Sequence, residues 1–80
     1  MNPKDEEVLN QPIANYTQMK TIFAMTNMPV PTAYSPAIVI QALNYLVDHK
    51  DEYYLYADMT GTERRSWLHA YCHQQYAMAS

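Results

Sequence analysis

Glycine is almost absent from this 80-residue sequence, which contains a single one, Gly61. Folds with many tight β-turns need residues of positive φ at recurring positions, and glycine adopts that conformation without strain. The shortage of glycine therefore argues against a turn-rich β fold and favours helices. A chain of this length has room for one domain only, close to the smallest size at which a single core holds.

Cysteine and long apolar runs are equally scarce. Cys72 is the only cysteine, so the sequence offers it no partner for an internal disulfide. No N-terminal apolar run is long enough for a signal peptide or a transmembrane span. These features predict a soluble cytoplasmic protein that has no membrane contact.

Basic residues are outnumbered, with five Lys and Arg against eight Asp and Glu and a net charge of -3. A surface that follows nucleic-acid phosphates needs several clustered cations. The charge balance therefore argues against direct nucleic-acid binding. A compact helical DNA-binding protein, in which the segment from Pro29 to Ser35 turns between two helices, is kept as a second alternative.

Helix signals cover most of the chain. Apolar residues recur at intervals of three and four, and two start signals are clear: Ser35-Pro36 and a Thr60 to Glu63 capping box. These patterns predict helices at 3–10, 12–26, 36–57 with a bend near His49, and 61–78. Residues 53–57 also suit a strand by propensity, but a single strand would have no partner, so we favour helix.

The sequence thus predicts an all-α fold, a small bundle of three to four helices. The central helix at about 36–57 packs between those at 12–26 and 61–78. Residues 1–11 form a short N-terminal helix or frayed arm, and residues 12–80 form a single helical domain. The predicted core consists of Ile13, Tyr16, Ile22, Phe23, Val39, Leu43, Leu46, Val47, Leu55, Trp67, Leu68, Tyr71 and Cys72. A homodimer would bury further apolar surface and is an expectation beside the monomer.

The last predicted helix carries His69 and His73 four residues apart, with Cys72 between them. Two histidines at this spacing can chelate zinc, but they supply only half of a zinc site, so further ligands would have to come from residues such as His49, Asp48 or Asp51. The simpler interpretation places Cys72 in the core as a small apolar residue with both histidines near the surface. We predict no bound metal, with His69 and His73 as the alternative ligands.

Eight tyrosines are more than a domain of this size is expected to bury. Tyrosines among acidic residues are typical of protein-binding surfaces, and a local acidic patch suits a basic partner. Arg64 and Arg65 lie at the positive end of their helix, so we expect carboxylates of this chain or of a partner to compensate them. The predicted partner-binding residues are Asp48, Asp51, Glu52, Tyr53, Tyr54, Tyr56, Asp58, Arg64 and Arg65.

Catalytic and cofactor motifs are missing from the sequence, so we expect neither an enzyme nor a cofactor. The leading interpretation is a small non-enzymatic regulator or inhibitor that occludes a surface of a larger protein or protein complex. Phage-encoded antagonists of host enzymes or of defence complexes such as CRISPR effectors have this size and composition. The alternative is a metal-binding or redox-sensing regulator that uses His69, Cys72 and His73.

Overall fold

The computed structural model describes residues 9–79, and within that range the chain forms helices and no strands. The helices are α1 (Tyr16–Met25), α2 (Pro36–Asp48), α3 (Lys50–Ala57) and α4 (Gly61–Ala79). The predicted all-α bundle is therefore confirmed, and residues 53–57 are helical. The predicted helix at 3–10 falls mainly on residues 1–8, which lie outside the described range. None of the four helices is long and apolar enough to cross a membrane.

Helix α2 is the centre of the fold, as predicted. It contacts α1, α3 and α4, and these are the main contacts between helices. Its inner face supplies Val39, Ala42, Leu43 and Leu46, all of which are buried. Because a fully buried aliphatic side chain contributes roughly 1.5–3 kcal/mol, this helix accounts for a large share of the stability.

Helix α1 begins at Tyr16, four residues later than the predicted start at residue 12. The side chain of Asn15 accepts a hydrogen bond from the Gln18 backbone N–H at 2.9 Å, while the Gln18 side chain accepts one from the Ala14 N–H at 2.7 Å. This reciprocal arrangement fixes the helix start. The predicted start was too early because the apolar spacing already begins at Ile13, which is buried in the core from a position before the helix.

The end of α1 is set by Asn27, which has a positive φ of 57°. The Asn27 N–H donates to the carbonyl of Ala24 and the Met28 N–H donates to that of Phe23. These two hydrogen bonds form a Schellman motif, in which a left-handed residue closes the last turn. Asparagine tolerates this conformation better than other residues that have a Cβ atom, so glycine is not required.

The predicted bend near His49 is confirmed. His49 has φ of -127° and ψ of 82°, which ends α2, and α3 begins at the next residue. The imidazole Nδ1 of His49 lies 2.8 Å from the Tyr45 carbonyl, and the Tyr53 N–H donates to the His49 carbonyl at 2.9 Å. His49 therefore holds backbone groups on both sides of the break.

The predicted capping box opens α4. The Thr60 N–H donates to the Glu63 carboxylate at 2.9 Å, and the Glu63 N–H donates to the Thr60 hydroxyl at 3.2 Å. The hydrogen bond from the Thr60 backbone N–H, followed by a contribution from the Thr60 hydroxyl, lowers the pKa of the exposed Glu63 carboxyl below its usual value.

The core agrees with most of the predicted set, but two members are wrong. Tyr16 and Leu55 are exposed, because each lies on the outer face of its helix. Val47, Trp67 and Tyr71 are only half-buried. The prediction omitted the buried residues Leu9, Met19, Ala42, Tyr53 and Tyr56.

The segment before α1 is attached to the bundle by polar contacts. The Asn44 side chain accepts a hydrogen bond from the Ile13 N–H at 2.7 Å and donates one to the Ile13 carbonyl at 3.0 Å. The Lys50 ammonium donates to the Leu9 carbonyl at 3.4 Å, and Leu9 is buried. Residues 9 and 13 therefore pack on the same core as the helices.

Candidate protein-binding surfaces

The outer side of α3 presents a mixed apolar and acidic stripe, which we call the α3 face. It comprises Asp51, Tyr54, Leu55 and Asp58, and all four are exposed. Their spacing of three and four residues places them on one side of the helix. The exposed fraction is 46% for Tyr54 and 62% for Leu55, so two large apolar side chains face solvent between two carboxylates.

The other side of α3 faces the core, which corrects the predicted site. Tyr53 and Tyr56 were predicted to contact a partner, but their exposed fractions are only 1% and 5%. Residues three apart share a helix face, so burying Tyr53 also turns Tyr56 inward and leaves Tyr54 outside. Neither buried tyrosine is therefore part of the exposed α3 face.

The two arginines at the start of α4 have different environments. The Arg64 guanidinium donates to the Tyr56 carbonyl at 3.1 Å and to the Ala57 carbonyl at 2.6 Å, and it lies 5.3 Å from the Tyr56 ring centroid. It thus compensates the negative end of α3. The expectation that carboxylates compensate the two arginines stays a prediction. Arg65 is exposed.

The predicted acids also separate in space. Asp48 is exposed at the end of α2, on a different element from Asp51 and Asp58. Glu52 is half-buried and turns away from the α3 face toward α4. The structure therefore brings together Asp51, Tyr54 and Asp58 from the predicted set, and it adds Leu55.

The histidine and cysteine cluster on α4 does not form a ligand cage in the part of the chain that the structure describes. The His69 and His73 rings are nearly parallel, with centroids 6.3 Å apart, and His69 packs edge-on against Tyr34. No group of three His, Cys, Asp or Glu suited to a metal occurs among the described residues. Cys72 is buried, and burial raises the pKa of its thiol, so the nucleophilic thiolate is disfavoured.

A cavity of about 370 Å³ lies between the segment 28–34 and α4. Pro29, Val30 and Pro31 form one wall, and Leu68 and Cys72 lie on the other side. Arg65 and His69 are at its edge. The proline segment and the buried Cys72 therefore line the same cavity.

A second depression, which we call the aromatic groove, lies between α2, α3 and α4 and has a volume of about 410 Å³. Its lining consists of Tyr45, Glu52, Trp67, Ala70, Tyr71, Gln74 and Gln75. The Trp67 and Tyr71 rings are stacked, with their centroids 5.5 Å apart and an interplanar angle of 17°. The centroid of the Tyr45 ring lies 5.1 Å from that of the Tyr71 ring.

Sequence reasoning missed the aromatic groove because Trp67 and Tyr71 were assigned to the core. A signal was present, since the pairs Tyr45 with His49 and Trp67 with Tyr71 are each four residues apart and share a helix face. The spacing could not show that the two pairs would meet. Comparison with known protein families, with curated proteins and with solved structures gives no match to this chain.

Proposed function

We propose that the protein is a non-enzymatic regulator or inhibitor that binds a larger protein through the α3 face and occludes part of its surface. The observation that carries this proposal is the exposure of Tyr54 and Leu55 side by side between Asp51 and Asp58. A helix that presents apolar anchors at such spacing fits a groove on a partner. Tyrosine adds contact area at low entropic cost.

The charges on and near the α3 face favour a basic partner. Asp51 and Asp58 are exposed at its two ends. Among the described residues, Lys50 reaches the Leu9 carbonyl and the Tyr53 ring, and Arg64 binds the end of α3. The face is therefore locally acidic, and complementary charge on a partner would speed association and orient the complex.

This chemistry supports a narrower form of the proposal. Proteins that bind DNA or RNA carry basic surfaces that neutralise phosphates. An acidic helix face with apolar anchors can cover such a surface. We therefore propose as the partner a host nucleic-acid enzyme or a defence complex such as a CRISPR effector, with the protein acting as a phage-encoded antagonist.

The test is affinity capture with paired variants. The double variant Tyr54→Ala with Leu55→Ala removes both anchors, whereas Tyr16→Ala with Met25→Ala removes two side chains of similar exposure, 47% and 49%, from α1. The melting temperatures of both variants should lie close to that of the parent protein. We expect the α3 variant to lose capture of a purified nucleic-acid-binding effector and the α1 variant to keep it.

Two results would count against the proposal. Capture that survives the α3 double variant would place the contact elsewhere, and equal loss in both variants would indicate nonspecific apolar binding. The narrower form has its own readout: expression of the parent protein should restore phage plaques on a CRISPR-immune host, and the α3 variant should not.

Self-association stays a prediction of the sequence. Exposed Tyr76 and Met78 near the end of α4 are side chains that a second copy could cover. Sedimentation equilibrium of the parent protein and of Tyr76→Ala with Met78→Ala measures it directly.

A further inference from the structure

The aromatic groove has a chemistry that the proposed function does not use. We propose that it binds the arginine side chain of a protein partner, with the guanidinium stacked on the aromatic rings and paired with Glu52. This inference goes beyond the α3 face, and its test does not depend on that face.

The groove offers a preformed aromatic platform. Trp67 and Tyr71 are stacked on α4, and Tyr45 joins them from α2. Two rings outside the groove support the platform. The His49 ring stacks on Tyr45 with a centroid distance of 4.0 Å, and the Tyr56 ring packs edge-on against Trp67 with a centroid distance of 5.6 Å. Aromatic faces carry partial negative charge and attract cations, and a rigid platform loses little entropy on binding.

The polar groups of the groove also suit a cation. Among the described residues, Glu52 is the one carboxylate in its lining, and no lysine, arginine or histidine of that range lines it. Gln74 and Gln75 add amide groups at the edge, and Gln75 is oriented by a hydrogen bond from Gln41 at 3.1 Å. The lining therefore combines aromatic faces, one negative charge and amide oxygens that can accept further hydrogen bonds.

Arginine fits this lining better than lysine. The guanidinium is planar and stacks on aromatic rings, and its edge donates several hydrogen bonds to a carboxylate and an amide at once. The lysine ammonium is compact and strongly hydrated, so it loses more on leaving water. The volume of about 410 Å³ lies within the range of roughly 300–1,000 Å³ typical of ligand sites.

The protein contains its own reporter, because Trp67 is its only tryptophan and forms part of the platform. The probe is the peptide acetyl-Gly-Arg-Gly-amide, titrated at constant ionic strength. Its citrulline analogue has nearly the same shape without the charge, and its lysine analogue has the charge without the plane. We expect a saturable change in Trp67 fluorescence with arginine, with affinity about fivefold or more above that of either analogue.

Paired variants locate the binding. Glu52→Gln should weaken arginine binding several-fold, whereas Asp48→Asn removes an exposed carboxylate that does not line the groove and should leave the titration unchanged. Tyr71→Leu should abolish the change in Trp67 fluorescence. A cooperative thermal melt of this variant checks that it is folded. A flat titration, equal binding of the citrulline or lysine analogue, or equal effects of Glu52→Gln and Asp48→Asn would each overturn the proposal.

Discussion

The neighbouring residues Tyr53 and Tyr54 should respond to substitution in opposite ways. Tyr53 is buried against the core and Tyr54 faces solvent, although both rings belong to α3. Replacing a buried aromatic side chain by alanine removes apolar contacts and leaves a cavity, which costs about 3–5 kcal/mol. An exposed substitution costs within about 0.5 kcal/mol.

These costs are large for a protein of this size. At about 0.05–0.15 kcal/mol per residue, 80 residues give a total stability of roughly 4–12 kcal/mol. Each kcal/mol shifts the melting temperature of such a domain by about 4–8 °C. Tyr53→Ala should therefore lower Tm by roughly 12–40 °C, and Tyr54→Ala by no more than about 4 °C.

Circular dichroism at 222 nm, followed during heating, measures both variants directly. Tyr53→Phe is the matched control, because it keeps the ring volume and should retain most of the parent stability. If Tyr53→Ala and Tyr54→Ala melt at the same temperature, the assignment of the inner and outer faces of α3 is wrong. The α3 face would then lose its basis.

Three further predictions follow from polar contacts. Arg64→Ala should lower the free energy of unfolding, measured in urea, by about 1–3 kcal/mol because two carbonyls at the end of α3 lose a charged donor. Arg65→Ala should change it by no more than about 0.5 kcal/mol. Equal effects of the two variants would refute the capping role of Arg64. Asn44→Ala should lower the free energy of unfolding by about 1–3 kcal/mol, since the Ile13 backbone N–H and carbonyl lose their side-chain partner. An unchanged urea midpoint would contradict this. The folded-state pKa of Glu63 lies below its unfolded value, so the stability that this carboxylate contributes to the fold is present above the unfolded pKa and is lost as the pH falls through the folded pKa. In Thr60→Ala, carboxyl NMR titration should show that the pKa of Glu63 rises part of the way back to its usual value. An unaltered pKa would disprove the hydroxyl contribution.

Local signals in the sequence predicted the helices well. The capping box of Thr60 and Glu63 and the restart at Pro36 depend on residues within one helical turn of each other, so they can be read without knowing the fold. The bend at His49 was predicted for a similar reason, because a polar run interrupts the apolar stripe. The start of α1 was wrong because the apolar spacing extends back to Ile13, whereas the Asn15 cap begins the helix at Tyr16.

The burial of the predicted site residues was harder to predict from the sequence, because it depends on how the helices face each other. Tyrosine suits both core and surface, so the sequence could not fix which tyrosines of α3 turn inward. Arg64 binds carbonyls of a different helix, a contact that depends on the angle between α3 and α4. The aromatic groove needs Tyr45 and Trp67 to meet across two helices, which no local pattern encodes.

The left-handed turn at Asn27 has a consequence for the thiol far along the chain. It sets the direction in which residues 28–34 leave α1, and this segment forms one wall of the cavity that Cys72 also lines. A substitution that favours a right-handed turn there would redirect the segment and reshape this cavity without altering any residue of α4. The shape of the space beside the cysteine thus depends on one backbone dihedral at a solvent-exposed asparagine.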